Sequence, residues 1–80
     1  MYTQIDKKLI AIGNNIRKYR QLKHYNQEKL AELLGVSCST ISRIENGTSA
    51  VDILILMELS KTLEQPIENI INITENNFQI

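Results

Sequence analysis

Apolar residues recur along the first third of the chain at steps of three and four: Leu9, Ile12, Ile16, Tyr19 and Leu22. On a helix these positions form one stripe, so the spacing predicts a helix from near Asp6 to Lys23. Gly13 lies inside it at a cost of about 1 kcal/mol relative to alanine, which implies a close neighbour that needs the space. The run "KHYN" breaks the period. Asn26 suits the N-cap of a second helix, "QEKLAELL", with Leu30, Ala31 and Leu34 inward and Glu28, Lys29 and Glu32 toward water. Gly35 ends it at a left-handed position.

Ser37 is placed to cap a third helix with Ile41 and Ile44 as its buried pair and Gly47 as its stop. Val36 and Ile41 have the spacing of a hydrophobic staple around that cap. Two short helices joined by Gly35-Val36-Ser37 predict a helix-turn-helix. Asp52 caps a fourth helix, "ILILMELSKTL", whose expected core stripe is Leu56, Leu59, Ser60 and Leu63, flanked by Ile53 and Met57. Leu54 and Ile55 fall off that face. Pro66 suits the first turn of a fifth helix, "PIENII". Residues 72–80 have no helical period, and Ile73, Phe78 and Ile80 around Asn76-Asn77 suggest extended structure. The expected fold is all-α, a five-helix domain over residues 1–71 with a short non-helical tail over 72–80.

Eighty residues allow one small domain, and the absence of Trp with a single Phe points to a core of Leu and Ile. One cysteine excludes a disulfide framework and, with no apolar run long enough to span a bilayer, suggests a cytoplasmic protein with no membrane partner. One Cys, one His, no glycine-rich phosphate loop and no paired His or Cys spacing argue against an enzyme, a metal or another cofactor. The net charge is zero, but its distribution is not even. Residues 1–43 carry eight basic side chains against three acidic ones, a net of +5, and residues 44–80 carry one against six, a net of −5. A chain so polarised can present a basic face although its total cancels.

The run "IRKYRQLKHYNQEKLAELLGVSCSTISRIENG", with the spacing on to "LMELSKTL" and "PIENII", resembles the Cro- and lambda-repressor-like helix-turn-helix regulators, the xenobiotic-response-element family. The resemblance covers about residues 12–71 and implies a lambda-repressor-like DNA-binding domain. It further implies a third helix in the DNA major groove and a homodimer on a pseudo-palindromic double-stranded operator. By matching position, Cys38, Ser39, Ser42 and Arg43 are implied as base contacts, and Gln27 as a phosphate contact that also braces the third helix. Ser37, Thr40 and Asn46 are implied as flanking backbone contacts. Arg20 and Glu45 match a pair tying the first helix to the end of the third. The chain departs from the family at Val51, often Pro there, and at His24-Tyr25 before the Asn-Gln.

The residues themselves carry the same reading. With Ile41 and Ile44 inward, residues 39, 42 and 43 fall on the opposite side of the helix, with residue 38 one turn before 42. The major groove is about 12 Å wide, so a helix resting on its floor needs short side chains, and Ser39, Ser42 and Cys38 supply them. Arg43 is the exception: guanidinium matches guanine O6 and N7 with two parallel hydrogen bonds. Arg17 and Lys23 are candidate phosphate contacts, and Asn26 and Ser37 open helices whose N-termini favour anions. Glu45 opposes the dipole at its helix C-terminus and needs a cation, for which Arg20 is the candidate.

Leu54, Ile55, Ile73, Phe78 and Ile80 form a candidate dimer surface. Control is expected to come from the protein's own concentration or from a regulatory protein partner. The function expected is a sequence-specific DNA-binding regulator, most simply a repressor. The alternative is a protein-interaction module on the same fold, such as an antitoxin that binds a toxin through the acidic C-terminal half.

Overall fold

The computed structural model describes residues 3–73, with side chains described from residue 7 onward. Five helices follow one another: α1 (Thr3–Leu22), α2 (Gln27–Leu34), α3 (Cys38–Glu45), α4 (Ile53–Leu63) and α5 (Ile67–Ile70). No strand occurs among the described residues. One cluster holds them together: Ile16 of α1, Leu30 and Ala31 of α2, Ile41 and Ile44 of α3, Leu56, Leu59 and Leu63 of α4, and Ile70 of α5.

Local chemistry sets the element boundaries. The Asn26 side chain accepts from the Lys29 N–H, that of Ser37 from Thr40, and that of Asp52 from Ile55, so three helices start on side-chain caps. Gly35 has φ 72°, and beyond it the Val36 N–H donates to the Ala31 carbonyl at 3.0 Å. This left-handed turn sets α3 across α2, and no alanine Cβ there would touch anything, so the backbone angle alone demands glycine. Pro66 stands at the N-cap of α5, one residue before the first turn where it was expected.

The stripe on α1 differs from its prediction at one end. Leu22 is 66% exposed, because the chain reverses there and Tyr25 is the residue that packs on the core. On α4 the buried face is rotated from the expected one. Ile55 packs on the core beside Leu56, Leu59 and Leu63, whereas Ile53 and Met57 lie in the open with Leu54. At about 100° per residue, 53, 54 and 57 share one side of the helix and 55, 56, 59 and 63 the other, and the cluster from α1–α3 selects the second set. Ile73 is half-buried, while Phe78, Ile80 and the proposed turn at Asn76-Asn77 lie outside the described residues.

Asn15 closes the far end of the bundle. Its buried amide donates to the carbonyls of Ile70 at 2.8 Å and Asn72 at 3.0 Å, satisfying groups at the end of α5 that have no intrahelical donor. A polar residue in mid-helix gave no periodic signal of this tie.

Candidate nucleic-acid interface

With Ile41 and Ile44 buried, α3 exposes Cys38, Ser39 and Arg43 and leaves Ser42, half-buried, on the shoulder of the same ridge. Hydroxyls cluster at its start. The Ser37 Oγ accepts from the Thr40 N–H at 3.1 Å and lies 2.8 Å from Thr40 Oγ1 and 3.1 Å from Ser39 Oγ. The first-turn N–H groups of Cys38 and Ser39 have no intrahelical acceptor and point out of the helix end, as do those of Gln27 and Glu28 at the start of α2. None of the ion pairs among the described residues involves Arg43, so its guanidinium stands free at the end of the ridge.

Behind the ridge, Glu45 is the buried anchor. Arg20 Nε donates to its Oε2 at 2.6 Å and Arg20 Nη2 to its Oε1 at 3.0 Å, a two-point fork. Gln27 Nε2 donates to Oε1 at 3.0 Å and Arg17 Nε to the same atom at 3.4 Å. Burial pushes the Glu45 carboxyl up, but the hydrogen bonds from Arg20 and Gln27, the Arg20 charge and the Arg17 contact outweigh it and hold the group below its ordinary value. Glu45 therefore stays ionised at neutral pH, and its partners satisfy it on both oxygens.

Four of the eight basic residues of the first half pair with carboxylates. Arg17 and Arg20 face Glu45, Lys23 reaches Glu64 at 3.2 Å, and Lys29 lies 3.7 Å from Glu32. The structure thus brings Arg20, Gln27 and Glu45 into one network. It places Cys38, Ser39, Ser42 and Arg43 on one ridge, and engages the Asn26, Ser37 and Thr40 side chains in helix caps. Asn46 is exposed, and its Oδ1 accepts from Arg17 Nη2 at 3.0 Å. That last contact was not foreseen. Its one signal in the sequence is that Arg17 and Arg20 lie three apart, on the α1 face that also carries Gly13.

A family profile described as Helix-turn-helix matches residues 16–70 of the chain. The chain belongs to the helix-turn-helix family of transcriptional regulators. It is similar to an uncharacterized HTH-type transcriptional regulator of Bacillus subtilis (strain 168), YgzD, at 30% identity over 64 residues, which is 80% of this chain and 97% of YgzD. An uncharacterized HTH-type regulator of Sinorhizobium medicae (strain WSM419) is 36% identical over 58 residues, 72% of this chain but 42% of that longer protein. In three dimensions the helix-turn-helix regulator resembles the restriction-modification controller protein C.AhdI from Aeromonas hydrophila. The TM-score is 0.74 at 27% identity, covering 78% of this chain and 94% of the controller. Among the described residues of the regulator no helix is long and apolar enough to cross a membrane, and no cluster of His, Cys, Asp and Glu is placed to hold a metal.

Proposed function

We propose that the protein is a sequence-specific regulator that lays α3 in the major groove of double-stranded DNA and represses by occupying its operator. The observation that carries this reading is the open ridge on α3, short side chains around one unpaired arginine, backed by the buried Ile41 and Ile44. Arg43 is the main base contact, bidentate to a guanine, while Ser39, Ser42 and Cys38 allow the helix to sit close. Ser39 and Ser42 can donate or accept, so they discriminate weakly. The exposed N-termini of α2 and α3 offer main-chain donors to two stretches of phosphate, with Gln27 and the Asn26, Ser37, Thr40 and Asn46 positions beside them and Lys23 nearby.

The apolar strip of Ile53, Leu54 and Met57 on α4 supports a two-fold dimer, in which two recognition helices sit about 34 Å apart, one turn of DNA. Selection of bound sequences from random duplex DNA tests the reading. The wild-type chain should enrich a pseudo-palindromic site, and Arg43→Ala should relax preference at one guanine per half-site while costing about 1–3 kcal/mol. Enrichment of no sequence at low salt refutes it.

A further inference from the structure

Along α1, Ile10, Gly13, Arg17 and Arg20 recur at steps of three, four and three, one face of the helix, and each meets the C-terminal end of α3. A Cβ on Gly47 would lie 2.7 Å from the Ile10 side chain and 2.8 Å from its Cα. A Cβ on Gly13 would lie 2.5 Å from the carbonyl oxygens of both Ile44 and Glu45. One turn on, Arg17 Nη2 donates to that same Glu45 carbonyl at 3.3 Å and to Asn46 Oδ1 at 3.0 Å, while its Nε points to the Glu45 carboxylate. Arg20 completes the row. Small residues admit the end of α3 close to α1, and two arginines then hold it there.

We propose that Arg17 is a positioning residue for the reading helix and not a phosphate contact: the Ile10–Gly13–Arg17–Arg20 face is the seat that sets how α3 is presented. The inference rests on the DNA-binding reading above and deepens it. Glu45 is the last residue of α3, so its carbonyl has no intrahelical donor, and a cation there also complements the helix dipole. Three acceptors already take the guanidinium, and moving it to a phosphate would leave that carbonyl bare. Arg43 lies two residues before Glu45 on the same short helix, so any tilt at the seat moves it against the base edges.

The test uses the full chain with Arg17→Met and Arg17→Lys. Each is titrated, well below its own unfolding midpoint, against the duplex that the wild type selects and against an unrelated duplex of equal length over a range of salt. Both variants should bind the selected duplex roughly three- to tenfold more weakly, with weakened guanine preference, unchanged binding to the unrelated duplex and an unchanged salt slope. Lysine should not rescue, because an ammonium has no fork to span a carbonyl, an amide oxygen and a carboxylate. The proposal is overturned if Arg17→Met weakens both duplexes alike and flattens the slope by about 0.9, with Arg17→Lys restoring it, since that is the signature of a phosphate contact. A wild-type chain that selects no duplex overturns the DNA reading and this inference with it. Loss of slope in Arg17→Met, beside an intact wild-type selection, overturns this inference alone.

Discussion

Gly13→Ala sets two physical effects of opposite sign against each other. In an open helix interior the change stabilises by about 1 kcal/mol, because alanine orders its backbone more cheaply than glycine. Here the new methyl would sit 2.5 Å from two main-chain oxygens of α3, about 0.9 Å inside the 3.4 Å at which ordinary contact begins. Backbone cannot rotate aside as a side-chain tip can, so α3 has to shift away from α1. Overpacking of this kind costs about 1–3 kcal/mol, and the shift also stretches the Arg17 bond to the Glu45 carbonyl, already 3.3 Å long. Those two magnitudes leave a net loss of about 0–2 kcal/mol, to which the weakened Arg17 bond adds, and for a domain of this size the upper end lowers Tm by roughly 8–16 °C. Thermal melts followed by circular dichroism, with urea midpoints at unchanged m, measure it. Asn14→Ala, one residue along on the exposed side, is the control and should leave Tm unchanged or slightly raised. A higher Tm for Gly13→Ala would show that propensity wins and that α1 and α3 are not locked at this contact.

Breaking the buried pair from one side should be worse than removing it: Arg20→Met is expected to cost about 3–5 kcal/mol, and Arg20→Met with Glu45→Leu distinctly less, as chemical denaturation of the three chains would show. Glu45 titrates below its ordinary value of 4.5 in the folded chain, so its contribution is complete above that pH and fades as the pH falls through the lower folded value. The stability gap between wild type and Glu45→Gln should therefore narrow on acidification below 4.5, and a gap that stays constant down the acid limb would contradict the assignment. Glu64 holds a left-handed φ of 57° at the end of α4, so Glu64→Gly should raise stability by about 0.5–1 kcal/mol in urea titrations despite losing an exposed contact to Lys23. Arg43→Ala should leave Tm nearly untouched, within about 0.5 kcal/mol, while changing the selected DNA sequence.

The helix-turn-helix was legible because its instructions are local. Asn26, Gly35 and Ser37 each act within four residues of where they stand, and the isoleucines of α3 alternate with small polar residues at a clean helical step. The run "ILILM" at the start of α4 has no such step. Five consecutive apolar residues fit any rotation of the helix, and only the cluster contributed by α1, α2 and α3 decided that Ile55 goes in while Ile53 and Met57 stay out. Glu45 announced its need for a cation by sitting at a helix C-terminus, and the resemblance to the family named Arg20 as that cation. Arg17 was harder to read: it lies 28 residues away, and a surface arginine looks the same whether it waits for a phosphate or holds a carbonyl of its own chain.

The pairing of Lys23, Lys29, Arg17 and Arg20 with three nearby carboxylates bears on how a DNA-binding regulator searches a chromosome. A genome offers on the order of 10⁶–10⁹ irrelevant sites, and unspent cations would titrate the protein onto that background. A chain of zero net charge that ties half of its early basic residues to its own carboxylates should adhere less to arbitrary sequence than one that left them all unpaired. On the operator-binding function proposed above, more of its copies would then stay free, and a modest number of molecules would keep one address filled.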